Sequence, residues 1–427
     1  MKILKITLGT IAFVVIAALL FPLVYPINLY IPQVEASLRN QLHQPVSIGD
    51  MSVAYAPMPR LVLNNVKIGQ NQEANISKVL VQPAYLSLLA DRKVVSRLSL
   101  DTAELKQEFV LIAPVIMNAG KDNKGWRVEA MSFSNSTIHL NKASLGPLNA
   151  DVSFDKQGGF KDILLSQEGT NAKLRIAPDG DQYAYSFDAD NWAIPMAPSV
   201  NFSSLVVNAK GNADNVVFDD IRGVLYGGTL TASAKLEWRD GWQLSGRYEV
   251  NNMQLEPLTS GLNPKTFVSG RASVEGVFGS SGKYLEDLLA HPRAEGKFKA
   301  EDGTLNNIDF ITAIRYNYGT NGGGLRGGKT RFDSMSGIIE ISEKTYRFKN
   351  IALQSGLLGA SGAVTVDARQ RVNGNLALRM KSAVNPMAVP MIVNGPLESP
   401  LLTPAANLRS TRDETNSGFS ASEPAQQ

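Results

Sequence analysis

The chain of 427 residues contains no cysteine, and this absence excludes disulfides, thiolate zinc sites, iron–sulfur clusters and a cysteine nucleophile. Only three histidines occur, His43, His139 and His291, and they share no metal-binding spacing. Charged residues make up 19% of the chain and the net charge is +3, which is too small to indicate nucleic acid as a partner. These scarcities predict a protein that is not an enzyme and that uses no metal, cofactor or nucleotide.

A strongly apolar segment without charges occupies Ile6–Tyr25. About 20 residues are enough for a helix to cross the ~30 Å hydrocarbon core of a bilayer. Lys2 and Lys5 precede the segment, whereas the next charges after it are Glu35 and Arg39. The positive-inside rule then keeps the amino terminus in the cytoplasm and exports the rest of the chain.

A cleaved signal peptide is the alternative interpretation of this segment. Such a peptide normally has an apolar region of ~7–15 residues that ends in a small-x-small cleavage site. The segment Ile6–Tyr25 is longer and contains Phe21, Pro22 and Leu23, with no such site nearby. We therefore predict that residues 1–32 are an uncleaved membrane anchor.

The segment Thr231–Val250 alternates apolar or small side chains with charged or polar ones on both sides of a turn at Asp240 and Gly241. The segment Gly359–Ser382 repeats this design. Antiparallel strands with one solvated face give such alternation, whereas buried parallel strands read as continuous apolar runs. The large apolar residues that share a face in these two hairpins are Leu236, Trp238, Trp242, Leu244, Tyr248, Val364, Val366, Leu376, Leu378 and Met380.

These patterns predict a mainly β fold. An N-terminal transmembrane helix is followed by an elongated, curved antiparallel β-sheet groove, or an open sandwich, with a few short helices. Helical periodicity occurs in short segments, which are Gln33–His43, Pro83–Ala90, Tyr284–Ala290, Ile308–Tyr318 and Met387–Val393. The predicted regions are an anchor (1–32), two β regions (33–230 and 231–404) and a tail (405–427) whose polar composition indicates disorder.

Residues 323–330 satisfy the P-loop pattern G-x-x-x-x-G-K-[ST]. A phosphate site of this kind needs a buried strand before the loop and a helix after it. The residues that follow Thr330 are instead strand-like and interrupted by glycine. We therefore interpret the motif as a flexible glycine loop.

Two adjacent carboxylate pairs, Asp219 with Asp220 and Glu301 with Asp302, are candidate acid/base residues. Neighbouring residues on a strand point to opposite faces. Both pairs are therefore expected on solvated edges or turns.

The apolar faces allow two interpretations. In an ordinary β-sandwich, two such faces close on each other. In an open curved sheet, the apolar face instead accommodates lipid chains, and at ~0.8 kcal/mol per CH₂ a 16-carbon chain avoids water by roughly 10–13 kcal/mol. Small residues such as Ala232, Ala234 and Gly246 suit both interpretations, so the pattern alone leaves them open.

The sequence resembles the AsmA family of membrane-anchored envelope proteins of Gram-negative bacteria. The resemblance covers the chain up to about Pro404 and ends in VNGPLESPLLTP. Its other motifs lie in Leu38–Gly69, Tyr226–Leu258 and Phe332–Met380. The family is similar to bridge-like lipid transfer proteins with extended β-grooves, and it contributes no catalytic residues.

The resemblance implies a single-pass inner-membrane protein whose bulk lies in the periplasm and which acts in outer-membrane biogenesis. Its expected partners are phospholipid, the inner membrane and envelope proteins. The expected function is binding or transfer of phospholipid in a hydrophobic β-groove lined by the ten apolar residues named above. The alternative is a periplasmic scaffold without transport activity that affects the assembly or targeting of outer-membrane proteins.

Overall fold

The structure, a computed structural model, describes residues 27–109, 126–139, 144–194, 200–212, 214–317, 324–356, 358–380 and 388–405. The chain divides into two compact units, Met1–Asp188 and Ala189–Gln427. Both are mainly β, as the sequence predicts. The predicted division at 230/231 falls inside a strand of the second unit.

No helix in the described part of the chain has the length and apolar character needed to cross a membrane. The segment Ile6–Tyr25 lies outside the described residues, as does the predicted tail after residue 405.

Within its described residues, the first unit opens with a 3₁₀ turn and a helix, and ten strands follow, the last of which continues past the boundary at Asp188. Another 3₁₀ turn (Tyr85–Leu89) lies between the third and fourth strands. The elements are the first 3₁₀ turn (Ile27–Tyr30), α1 (Ile31–Leu42), β1 (Val46–Ala54), β2 (Arg60–Ile68), β3 (Ala74–Pro83), β4 (Lys93–Lys106), β5 (Trp126–Val128), β6 (Ala130–His139), β7 (Ser144–Phe154), β8 (Phe160–Gln167), β9 (Lys173–Asp179) and β10 (Gln182–Ile194).

Most strands of the first unit pair with their chain neighbours in antiparallel fashion. The exception is β4, which pairs in parallel with β5 and β6. A parallel pair needs a crossover of a dozen or more residues, and the chain between Lys106 and Trp126 has that length. The sequence patterns did not predict this parallel pair.

Helix α1 confirms the predicted helix at Gln33–His43 and lies beside the first strand. Its apolar stripe, which includes Val34 and Leu38, packs against a core of β1–β4 residues. Glu35 Oε1 accepts a hydrogen bond from the Ile48 backbone N–H at 2.8 Å. This side chain satisfies a donor of β1 that would otherwise be open to pairing with another chain.

In the residues that the structure describes, the second unit contains twelve strands and three helices. They are β11 (Val200–Gly211), β12 (Asn215–Leu225), β13 (Gly228–Glu237), β14 (Trp242–Gln254), α2 (Leu255–Leu262), β15 (Val268–Gly282), α3 (Asp287–Ala290), β16 (Arg293–Asn306), α4 (Phe310–Asn317), β17 (Lys329–Ser342), β18 (Thr345–Ser355), β19 (Leu358–Val366), β20 (Arg371–Met380), β21 (Ala388–Pro396) and β22 (Leu401–Pro404).

These twelve strands form one antiparallel ladder in chain order. Helix α4 supplies Phe310, Ala313 and Ile314 to a core that also contains Leu353 and Leu378. The helix therefore covers part of the apolar face near the end of the ladder.

The helix prediction at Met387–Val393 is wrong, because the described residues from Ala388 onward belong to β21. The β-branched residues of this segment pack well on a pleated surface, and pairing with β20 overrides the weak helical spacing. Pro390 pairs with Ala377 of β20 and lies outside the stretch of β21 that pairs with β22. Helix α2 was not predicted.

The glycine-rich motif at 323–330 has a structural role at its last residue. Thr330 is 1% exposed, and its hydroxyl accepts a hydrogen bond from Phe310 N–H at 2.9 Å and donates one to the Ile308 carbonyl at 2.8 Å. The residues after it form β17 rather than a helix. The threonine thus satisfies the amino-terminal end of α4, and the helix that a P-loop requires does not follow it.

Replacement of Thr330 by valine is expected to destabilise the second unit by about 1–3 kcal/mol, because two buried backbone groups lose their partner while the side-chain shape is kept. Thermal unfolding and amide exchange at Phe310 measure the effect. Thr330→Ser keeps the hydroxyl and is the matched control. Unchanged protection of the Phe310 amide in Thr330→Val would contradict this role.

Candidate functional site

The apolar face of the second unit is organised in rows that run across the strands, because directly paired residues of neighbouring strands lie on the same face. Following the registers from strand to strand gives several rows without a charged residue, and two of them run from β12 to β20. The first row is Ile221, Ala232, Tyr248, Gly276, Gly296, Ile339, Phe348, Val364, Gly374 and Val393. The second row is Phe218, Ala234, Gly246, Phe278, Ala294, Ile341, Tyr346, Val366 and Val372.

A third row on the same face is buried by other parts of the second unit. Its members are Met253, Ala272, Ala300, Met335, Leu353, Ala360, Leu378 and Val389. Ala300 and Leu378 are 0% exposed, and Leu353 is 2% exposed. Most of them belong to the core that α4 covers, so this row contributes to stability.

The first and second rows are mostly half-buried between β13 and β18. Tyr248, Phe278, Ile341, Tyr346 and Phe348 all keep part of their surface accessible. The apolar face therefore changes from a closed core to a partly accessible surface along the length of the strands. This partly accessible surface is the candidate functional site.

Aromatic rings on this surface lie over glycines of other strands. A Cβ atom at Gly246 would lie 2.5 Å from the Phe278 ring, and one at Gly296 would lie 2.6 Å from the Tyr248 hydroxyl. Tyr248 and Phe278 also contact each other, with their ring centroids 6.3 Å apart. Covering glycine with an aromatic ring is a known way to stabilise a sheet, and here it flattens the apolar surface.

The ten lining residues predicted from the sequence fall into three environments. Leu236, Trp238, Trp242, Leu244 and Tyr248 are half-buried on or beside β13 and β14. Val364, Val366 and Met380 pack at the margin of the closed core. Leu376 and Leu378 belong to that core, at 6% and 0% exposure.

The two tryptophans meet at the β13–β14 turn. The rings of Trp238 and Trp242 are stacked, with centroids 5.5 Å apart and an interplanar angle of 28°. Leu236 and Leu244 are directly paired next to them. The predicted pairing of these residues on one face of the β13–β14 hairpin is thus present in the structure.

Five large members of the candidate site were not among the lining residues predicted from the sequence. They are Phe278 on β15 and Ile339, Ile341, Tyr346 and Phe348 on β17 and β18. In the last two strands, Glu340 separates Ile339 from Ile341 and Arg347 separates Tyr346 from Phe348. This short alternation was the available sequence signal for those four residues.

The first unit has corresponding rows of its own. One row is Val53, Leu61, Val81, Leu98, Met131, Val152, Ile163, Ile176 and Tyr185, and the next is Met51, Leu63, Val79, Leu100, Phe133, Ala150, Leu165, Leu174 and Phe187. Helix α1 packs where the rows begin. The members on β8–β10 are half-buried.

The tyrosine side chains on the apolar faces are uncharged. Burial raises the pKa of Tyr248 and of Tyr346 in the second unit. Burial also raises the pKa of Tyr185 in the first unit, with a smaller contribution from Tyr183. A raised phenol pKa keeps these side chains uncharged at neutral pH.

The opposite face carries the charges. Hydrogen bonds from Arg222 at 2.6 and 2.8 Å hold the pKa of the Asp220 carboxyl below its usual value. A hydrogen bond from Lys299 likewise lowers the pKa of Glu301. A lowered pKa keeps a carboxylate ionised at neutral pH, which suits a solvated surface rather than a general acid.

A shallow depression of about 620 Å³ also lies on this charged face. It is lined by Arg247, Glu249, Glu275, Lys297 and the 58% exposed Val277, among others. Charges of both signs mix there, so it has no clear preference for an anion or a cation. The apolar rows themselves form a partly accessible surface on the reverse side.

Within the described ranges, no group of three or more metal-ligating side chains comes together. The histidines stay apart, since His43 follows α1, His139 ends β6 and His291 follows α3.

Replacement of Gly246 by alanine is expected to destabilise the protein by about 1–3 kcal/mol, because the new methyl group displaces the Phe278 ring and presses on a backbone carbonyl. The thermal midpoint of unfolding measures the loss. Gly359→Ala is the matched strand control, since its Cβ would meet nothing closer than 3.8 Å. Equal midpoints for the two variants would show that the ring is not held against Gly246.

No protein-family model, curated protein or solved structure matched this chain. The resemblance to the AsmA family therefore stays a prediction based on the motifs quoted above.

Proposed function

We propose that this protein binds the acyl chains of membrane phospholipid on the half-buried apolar rows of its second unit. In this proposal the segment Ile6–Tyr25 anchors the chain in the inner membrane, and the bulk of the chain works in the periplasm in envelope biogenesis. The observation that carries the proposal is the pair of uncharged rows, which continue without a break from β12 to β20 and are mostly half-buried over β13–β18.

The dimensions of the rows support this ligand. Six strands, β13 to β18, extend about 24 Å across the sheet at ~4.8 Å per strand. An acyl chain in one leaflet of a bilayer spans a thickness of about 15 Å, which is half of the ~30 Å hydrocarbon core. The two rows lie about 7 Å apart, two residues along a strand. They therefore offer parallel tracks for the two chains of one phospholipid.

The energetics require no chemical step. Each CH₂ that moves from water to an apolar surface gains about 0.8 kcal/mol. A row that is uncharged from strand to strand provides this favourable free energy at successive positions. An acyl chain can therefore shift along the row without full exposure to water. The residues assigned to this task bind and exclude water, and none acts as an acid, base or nucleophile.

The single ladder of the second unit also supports an accessible surface. An ordinary sandwich requires two sheets whose apolar faces close on each other. The described strands of the second unit instead follow one another in one ladder, and the closed core is the part next to α4.

Leu244→Asp tests the proposal in the full-length protein, because Leu244 lies on the same face of β14 as Tyr248 and Gly246, directly beside the second row. A carboxylate on the half-buried face is expected to reduce crosslinking to a photoactivatable phospholipid by on the order of tenfold, since methylene contacts are replaced by a charge. Lipids that co-purify in mild detergent, measured by mass spectrometry, give a second readout.

Ser245→Asp is the matched control, because it adds the same charge one residue further on the same strand, where the side chain is exposed on the opposite face. It is expected to leave crosslinking unchanged. Equal crosslinking of the two folded variants would disprove the lining. A protein that purifies without any lipid would favour the alternative, a periplasmic scaffold for outer-membrane proteins.

A further inference from the structure

The chain enters the first unit at one particular end of its strands. Asn28 Oδ1 accepts a hydrogen bond from Met51 N–H at 2.9 Å, and Glu35 accepts one from Ile48 N–H at 2.8 Å. Helix α1 therefore runs antiparallel to β1, and Ile27 lies toward the end where β1 finishes at Ala54. Three residues of strand from Met51 to Ala54 cover only about 10 Å.

The loops at this end of the strands come together. The registers place the β1–β2 turn, the β3–β4 connection and the β7–β8 turn at the same end of the unit. The Tyr85 hydroxyl donates a hydrogen bond to the Pro59 carbonyl, and Arg92 donates one to the Gln157 carbonyl at 3.3 Å. We call residues 55–60, 84–93 and 155–159 the loop end.

Large apolar side chains project from the loop end into solvent. Leu86 is 94% exposed and Met58 is 50% exposed. Leu29, in the 3₁₀ turn that precedes α1, is 65% exposed. Within the first unit, Leu86 is far more exposed than Leu164, a strand residue at 44%.

Cations accompany these apolar residues. The loop end contains the cations Arg60, Arg92, Lys93 and Lys156 and two acids, Asp91 and Asp155. Arg60 donates to the Ala56 carbonyl at 3.1 Å, and among the described residues neither Arg60 nor Arg92 forms an ion pair. Their positive charge is therefore not neutralised by a neighbouring carboxylate.

We propose that the loop end is a bilayer-contact surface, in which Leu86 and Met58 enter the interface of an anionic membrane while Arg60 and Arg92 face lipid phosphates. Exposed apolar residues flanked by cations are typical of proteins that lie on anionic bilayers. The inference rests on the anchoring part of the proposed function, because the apolar segment Ile6–Tyr25 ends two residues before Ile27.

The absence of cysteine makes a single-label experiment possible in the full chain. Leu86→Cys carries an environment-sensitive fluorophore, and the protein is reconstituted into vesicles of phosphatidylcholine and phosphatidylglycerol that contain spin-labelled quencher lipid. Ala17→Cys reports insertion of the anchor segment. Leu164→Cys is the matched control for an exposed leucine elsewhere in the unit.

Quenching at Leu86→Cys is expected to exceed that at Leu164→Cys by about threefold, and to fall when phosphatidylglycerol is omitted, because binding combines apolar burial with attraction to anionic lipid. Quenching at Ala17 with none at Leu86 would overturn the bilayer contact while keeping the anchor. Quenching at Leu86 with none at Ala17 would support the contact and overturn the anchor. No quenching at either position would overturn both.

Discussion

Cross-strand register keeps apolar side chains in line from one strand to the next, and every property of the apolar faces depends on this alignment. A slip of one residue in any strand would turn its apolar set toward water. In the second unit the alignment holds from Phe218 on β12 to Val372 on β20. The charged residues of the same strands are thereby gathered on the reverse side, where Asp220 and Arg222 pair in solvent. Segregation of the two surfaces is thus a consequence of pairing, and no single side chain creates it.

Helices decide which part of each apolar face serves stability. Helix α1 covers the beginning of the first unit's ladder, and helix α4 covers part of the second unit's ladder near its end. Beneath α4, Leu378 and Met391 are almost fully buried and pack as an ordinary core. Away from the helices the rows are mostly half-buried, and aromatic rings pack over glycines of neighbouring strands. A face with a closed core at one place can remain partly accessible at another without loss of the fold, because the core supplies the stability.

The local pattern of apolar and polar residues in the sequence was sufficient to predict much of the fold and part of the candidate site. The alternation in Thr231–Val250 predicted β13 and β14 together with the face that Leu244 and Tyr248 share, and the spacing of Val34 and Leu38 predicted α1. Properties set by distant contacts were not predictable. The segment after Met387 is a strand because it pairs with β20, and β4 pairs in parallel because a long crossover returns the chain. Nor could alternation distinguish Leu378 from Leu244, because burial beneath α4 depends on a helix far away in the sequence. The aromatic–glycine contacts depend in the same way on register, which joins Gly246 to Phe278 only after folding.

The geometry of the first unit links its row pattern to its loop end. The row that begins at Val53 and Leu61 is the one nearest to the β1–β2 turn, since both residues lie within a few positions of that turn. The same row ends at Ile176 and Tyr185, which are half-buried. A hydrocarbon chain that left a bilayer at the loop end would therefore meet this row before any other described row. Passage along it would cross strands rather than follow one, so each step of ~4.8 Å would exchange one apolar contact for the next. A surface built in this way needs continuity more than it needs any particular residue, which agrees with a sequence rich in pattern and poor in catalytic groups.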